Sequence, residues 1–376
     1  CEEVYGRDKK IDKEEKTLKK SRNYGIDLLR IFSMFLIVIL HTLGHGGILG
    51  SVEIHSGKYW GLWLTEISAY CAVDCFALIS GYVMWKSSFK LEKISELWMQ
   101  VLFYSVVLTG FVFYINPAVR STDNVLTAIF PITRGQWWYL SSYFGMYLLG
   151  PVMNSAICNL SRSSLKKVLL GAFVMMSFLP TVLTPYDPYT LGAGLSTIWL
   201  CILYLFGAYI GKYQIGLNLS CVKLGAFSIS MILFTFGFKM IVEMKLGGNF
   251  ANIGDGNMLV NYTSPTILLT AISLVILSSK LKLGDHAVGF IKLVSPLTLG
   301  VYMIHDHPLI RNEFMAGSSV RFLESNAFVM EFKVLVFAGA VFVLCLVIEF
   351  GRSKLFRILR VRGLCRRAVN CIERKF

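Results

Sequence analysis

The chain has 376 residues, of which 55% are hydrophobic and only 16% charged, with a formal net charge of +14 and a mean hydropathy of +0.60. A soluble globular domain is nearer a quarter charged, so this composition excludes an ordinary water-soluble enzyme; apolar runs close to 20 residues long, enough to cross about 30 Å of hydrocarbon, indicate a polytopic helical membrane protein. The positive charge then calls for no nucleic acid, because basic residues held on the cytoplasmic side give the same excess.

The chain opens on a charged tail, residues 1–22, in which "RDKKIDKEEKTLKKSR" mixes signs at helical spacing and reads as a solvated helix end. It does not begin with Met and shows no signal-peptide pattern. Ten spans are predicted after it, at 25–43, 60–85, 94–115, 137–155, 166–184, 195–211, 221–242, 262–280, 288–310 and 328–350. With both termini inside, 28 Lys and Arg fall in the tails and at the loops after spans 2, 4, 6 and 8, against 6 at the other loops, which sets the orientation. The expected fold is therefore all-α, a transmembrane helical bundle of about ten spans with both termini cytoplasmic. Residues 1–22 form the first tail, 23–350 the membrane domain and 351–376 a basic tail, "GRSKLFRILRVRGLCRRAVNCIERKF", suited to an anionic leaflet. Nine cysteines show no zinc-like spacing and imply no disulfide framework. No loop is long enough to be a domain, so any chemistry belongs inside the bundle.

Span 1 lies in "NYGIDLLRIFSMFLIVILHTLGHGG", which carries Asp27, Arg30, His41 and His45. Arg30 and His41 are eleven residues apart, three helical turns plus about 20°, so they share a face and stand about 16.5 Å apart along the axis. Asp27 shares that face. A charge exposed to lipid costs several kcal/mol, so the face should point into the protein or a wet cavity. A purely structural alternative is that Asp27 and Arg30 pair near the cytoplasmic surface and His41 caps a helix end; for His41 the functional reading is preferred, since intramembrane ionisable groups usually mark a site. Counted from the cytoplasmic side, His41 lies about 24 Å up span 1, Glu66 about 28 Å up span 2 and His305 about 25 Å up span 9. Three proton-handling groups thus converge on one level, above a cationic mouth around Arg30, and Trp137 and Trp138 begin span 4 near it. Asp74 on span 2 is either functional or paired with another buried polar group.

His41 and His45 form an HxxxH pair, yet there is no HExxH context, and Gly44, Gly46 and Gly47 suggest an ending helix, so no metal is expected. On a helix His305 and His307 are some 200° apart and do not converge on one ion. His307, before Pro308, is read as an outer-surface residue. The Gly-rich "LGGNFANIGDGN" has no phosphate-loop pattern and reads as an outer loop able to contact a sugar.

Four blocks together resemble the acyltransferase family 3 membrane proteins. "IDLLRIFSMFLIVILH" has that family's Asp, two residues, Arg, ten residues, His pattern; "VDCFALISGYVMW" resembles its Asp-x-Phe-Phe-x-x-Ser-Gly-Tyr segment, with Ala77 in place of the second Phe. "QWWYLSSYFGMYLLGPVMN" looks like its tryptophan-rich span 4 and "SPLTLGVYMIHDHPLI" like its late Tyr-x-x-His segment. The resemblance implies transfer of an acyl group, usually acetyl, from cytoplasmic acyl-CoA to a hydroxyl of a cell-envelope glycan or similar acceptor. By motif it makes Arg30 and His41 the essential pair, with Asp74, Ser80 and Gly81 in the span 2 block and His305 in the late one.

The residues suit that chemistry. Arg30 offers a bidentate fork to the phosphates of acetyl-CoA, and Asp27, Asp74 and Ser80 complete the expected donor set. Neutral His41 would act as general base, with Glu66 orienting its imidazole as a carboxylate does in a triad. A covalent acyl-histidine relay stays open beside direct transfer. Ser80 and Gly81 also allow close helix approach, as small residues do in membrane bundles. Some relatives carry a hydrolase-like domain after the last span; residues 351–376 contain none, so the bundle is expected to complete the transfer or hand it to a separate protein. The expectation is a multi-pass O-acetyltransferase of the plasma or inner membrane that uses acetyl-CoA and no metal. Its partners would be the acyl-CoA, a glycan or other hydroxyl acceptor and the lipid bilayer, with no nucleic acid; its oligomeric state stays open. Two competing readings are a transporter or flippase, for which paired broken helices and an internal repeat are lacking, and a non-catalytic sensor domain, as in relatives fused to a racemase.

Overall fold

In the computed structural model, residues 22–183, 187–245 and 256–373 are described, and every regular element among them is a helix. The chief helices are α1 (Tyr24–Leu43), α2 (Gly57–Ala69), α3 (Ala72–Met84), α4 (Leu91–Ile115), α5 (Trp138–Asn159), α6 (Arg162–Phe173), α7 (Thr197–Tyr213), α8 (Cys221–Lys245), α9 (Pro265–Ser279), α10 (Asp285–Val294), α11 (Thr298–His305), α12 (Ala327–Ile358) and α13 (Val361–Glu373). Starts are set by side chains that accept otherwise orphaned backbone N–H groups: Asn23 takes that of Ile26 at 3.2 Å, Ser56 that of Tyr59 at 3.1 Å and Asn326 that of Val329 at 2.9 Å. Pro265 opens α9, where its missing N–H costs nothing.

A helix occurs at each of the ten predicted segments. Among the described residues seven stretches are long and apolar enough to cross a membrane, while Thr197–Tyr213 and Pro265–Ser279 are apolar but shorter. Two predicted spans are broken. Span 2 divides at Tyr70–Cys71 into α2 and α3. Span 9 divides into α10 and α11 through a tight turn, Ser295–Leu297, where Pro296 supplies no backbone donor. Helix α11 stops at His305 because Pro308 disfavours helical geometry just before it. Of the most apolar stretch at α1, 72% is buried, against 22% for α12, so α1 is the inner post of the bundle and α12 an outer one. The N-terminal tail 1–21 and nearly all of "LGGNFANIGDGN" lie outside the described residues.

Two glycines set the closest helix crossing. A Cβ at Gly81 on α3 would sit 1.9 Å from the Tyr204 carbonyl oxygen, and one at Gly207 on α7 would sit 1.9 Å from that of Leu78. Each backbone therefore occupies the space a side chain would need, the small-residue packing that membrane helices use. Gly207→Ala is expected to force α3 and α7 apart, costing about 1–3 kcal/mol or more, and to lower the melting temperature measured in detergent. An unchanged melting temperature would show that the crossing is looser than drawn.

Two of the buried ionic groups elsewhere in the bundle are paired. Lys239 on α8 pairs with Glu243, donates to Asn257 Oδ1 at 2.7 Å and lies 3.5 Å over the Trp63 ring. Glu349 on α12 pairs with Arg352 and accepts from Tyr104 Oη at 2.5 Å. Both follow the rule that charge survives burial only when paired. The amphipathic α13 buries Val361, Cys365 and Val369, and Arg362 Nε stands 3.1 Å from Glu96 of α4.

Candidate active site

The two ends of α1 hold separate polar clusters. At the start, the buried Asp27 accepts from Arg22 Nε at 2.5 Å, Arg30 Nη1 at 2.8 Å and Ser295 Oγ at 3.2 Å. Asp27 thus ties α1 to the α10–α11 turn and fixes Arg30 one helical turn above it. The Arg30 side chain, 28% exposed, lines a cavity of about 330 Å³ with Ser80, Val83, Leu97, Tyr139 and Tyr143. Asp27 does not line this cavity; its contact with the site runs through Arg30.

At the far end His41 meets His305. The His41 Nδ1 to His305 Nε2 distance is 2.9 Å, and His305 Nδ1 lies 2.6 Å from the Val301 carbonyl oxygen. A carbonyl only accepts, so His305 Nδ1 carries the proton and, in the neutral ring, its Nε2 is the acceptor. His41 Nδ1 is then the donor, which leaves the lone pair of His41 on Nε2. This hydrogen-bond chain selects the tautomer a general base needs. His41 lines a second, tight cavity with Met34, Val73, Trp138, Tyr262 and Tyr302. Phe76, Tyr139 and Leu299 belong to the walls of both cavities. The Arg30 chamber and the His41 chamber are therefore neighbours across one shared aromatic and aliphatic partition.

Of the residues singled out in sequence, the structure brings His41 and His305 into contact and sets Arg30 and Ser80 on the wall of the neighbouring chamber. Asp74 stands apart: it is fully buried, accepts from Trp199 Nε1 at 3.2 Å and lines neither chamber. Glu66 is buried, but no hydrogen bond or ion pair joins it to His41. The carboxylate beside His41 is that of Asp306, whose Oδ1 is 3.6 Å from His41 Nδ1, 3.6 Å from His45 Nε2 and 3.5 Å from Arg311 Nη1. Axial height placed Glu66 near His41, but height leaves open which way each helix is turned. Asp306 stands next to the motif histidine in "MIHDHP", a signal that spacing on a continuing helix could not use, because the helix ends there.

His307 is another correction. It is 1% exposed, set edge-on to Trp137 with ring centroids 5.5 Å apart, and its Nε2 accepts from Gln136 Nε2 at 2.7 Å. Thr109, Gln136 and Trp137 pack against His307, which therefore belongs to the interior rather than the surface. Trp138, read from sequence as one of a pair near the His41 level, forms part of the His41 chamber and stacks on Tyr262 at 6.2 Å. The tyrosines Tyr139, Tyr143, Tyr262 and Tyr302 had not been singled out, although Tyr139 and Tyr143 lie inside the tryptophan-rich block and Tyr302 opens the Tyr-x-x-His segment.

No curated protein and no solved structure matches the chain. The family model described as an acyltransferase domain does, over residues 23–352, from the cap of α1 through most of α12. With the Asp-Arg-His helix, the Ser-Gly-Tyr helix and the late His segment assembled around two adjoining chambers, the chain belongs to the acyltransferase family 3 membrane proteins.

Proposed function

We propose that this membrane acyltransferase is an O-acetyltransferase that takes acetyl from cytoplasmic acetyl-CoA and places it on a hydroxyl of a cell-envelope polysaccharide or its lipid-linked precursor. The observation that carries the reading is the pair of adjoining chambers, one lined by a guanidinium and the other by a histidine whose tautomer leaves Nε2 basic. In this reading all ten segments span the plasma or inner membrane and both termini are cytoplasmic, which puts Arg30 at the inner mouth. The anionic phosphates of CoA stay at Arg30, and the thioester arm passes the Phe76, Tyr139 and Leu299 partition toward His41.

His41 Nε2 removes the acceptor hydroxyl proton as the oxygen attacks the thioester carbonyl. The carbon–sulfur bond breaks as the tetrahedral intermediate collapses, and the proton returns to the leaving thiolate. His41 is an imidazolium during this step, and the Asp306 carboxylate 3.6 Å from Nδ1 offsets that charge. Asp306→Asn is accordingly expected to lower kcat about tenfold or more with little change in KM for acetyl-CoA; equal kinetics in the variant would remove Asp306 from the site.

The test of the function itself uses proteoliposomes given acetyl-CoA labelled in the acetyl group, with an envelope glycan fraction as acceptor. Label appearing in the glycan with stoichiometric release of free CoA supports the transferase. Translocation of glycan or of intact acetyl-CoA, with no thioester consumed, would sustain the transporter reading instead.

A further inference from the structure

We infer that His41, His45 and Asp306 form an inhibitory binding site for a divalent transition ion of the zinc type. The HxxxH pair on its own supplies two nitrogens on a helix that is ending; the fold brings in a third ligand from the turn after α11. His41 Nδ1 and His45 Nε2 both stand 3.6 Å from Asp306 Oδ1, and ligand atoms of all three residues lie within 4.8 Å of one another. Two imidazole nitrogens and a carboxylate oxygen are a donor set that zinc accepts, and bonds of about 2.0–2.1 Å in a tetrahedral site would put the donors roughly 3.3 Å apart. The triad has to close by a few tenths of an ångström at its two shorter edges and by up to about 1.5 Å at the third, between the two histidines. An independent observation points the same way: Asp306 is 5% exposed and its Oδ1, the oxygen turned toward both histidines, makes no hydrogen bond. That buried oxygen has an ion pair with Arg311 at 3.5 Å but no hydrogen bond, and a bound ion would satisfy it. His305 Nε2, 2.9 Å from His41 Nδ1, is close enough to complete the set as a fourth ligand.

One group opposes the ion. Arg311 Nη1 is 3.5 Å from the same Asp306 oxygen, and its side chain is one-third exposed. The guanidinium and the ion would therefore compete for that oxygen.

The functional consequence rests on the role of His41 argued above. A neutral imidazole holds a single proton. An ion on His41 takes the lone pair of Nδ1, so the ring's one proton, donated to His305 in the metal-free protein, has to sit on Nε2 instead and the neutral ring has no lone pair to offer an acceptor hydroxyl. Zinc would inhibit transfer without competing with acetyl-CoA at Arg30.

The experiment is calorimetric titration of Zn²⁺ into the purified, metal-free protein in detergent, followed by transfer assays with and without the ion. Expected are one ion per chain, affinity at least tenfold weaker in His45→Ala and in Asp306→Asn, and tighter binding in Arg311→Ala. Zinc should suppress transfer by the wild type, a chelator should restore it, and His45→Ala should be resistant while retaining its metal-free activity. No binding by the wild type, binding indifferent to both His45→Ala and Asp306→Asn, or full transfer at saturating zinc would each overturn the proposal. Absence of transfer in metal-free wild-type protein would count against the transferase reading alone, since the calorimetric result needs no substrate.

Discussion

Replacing His41 with alanine lowers acyl transfer by about two to four orders of magnitude, the range a positioned general base supplies, while the bundle stays folded. Folding is expected to survive because His41 makes one side-chain hydrogen bond, to His305, and lines a cavity rather than filling a close-packed layer. The assay is loss of acetyl-CoA thioester by purified protein, with monodispersity and melting temperature as controls. His305→Ala should cost less, since it frees the His41 tautomer without removing the base. The double variant should be no worse than His41→Ala alone, because residues acting as a unit are not additive. Normal turnover by folded His41→Ala would end the catalytic assignment. A stable acyl adduct on His41, trapped and read by mass spectrometry, would instead move the mechanism to a covalent relay, with the imidazole as nucleophile.

Much of this site was legible from two numbers, 1.5 Å and 100° per residue. They put Arg30 and His41 on one face of α1 and brought His305 to the height of His41; the observed 2.9 Å contact between the two histidines agrees with the second. The same arithmetic is silent on how neighbouring helices are rotated against one another. Glu66 therefore appeared as near to His41 as His305 did, yet no hydrogen bond or ion pair joins it to His41, and the carboxylate beside that imidazole is Asp306. The periodicity also assumes a continuing helix. Where Pro296 and Pro308 interrupt span 9, positions 306 and 307 leave the helical wheel, which is why Asp306 went unnoticed and His307 was placed outside although Gln136 and Trp137 bury it. The break between α2 and α3 had even less warning, as no proline or glycine marks Tyr70–Cys71.

Arg30→Ala should weaken acetyl-CoA binding about 10- to 150-fold, the equivalent of losing one charge-assisted hydrogen bond of roughly 1.5–3 kcal/mol to a phosphate. The variant tests binding rather than folding, because Asp27 keeps two of its partners when Arg30 is removed: Arg22 at 2.5 Å and Ser295 at 3.2 Å. The substitution therefore does not strand a buried carboxylate. Arg30→Lys separates charge from shape. Lysine retains the positive charge but lacks the planar fork, so it should recover only part of the affinity if the phosphates are gripped in two places. Asp27→Asn provides the complementary case: Arg30 stays but loses the ionic contact that fixes it beneath the Ser80 and Tyr143 wall. Its binding should fall between that of the wild type and Arg30→Ala. Equilibrium binding of acetyl-CoA in detergent measures all three, and unchanged affinity in Arg30→Ala would take the donor out of the Arg30 chamber. A drop in affinity for CoA equal to that for acetyl-CoA would place the grip on the nucleotide and pantetheine phosphates. A drop confined to acetyl-CoA would move Arg30 to the thioester, and with it the point where the acyl group waits for His41.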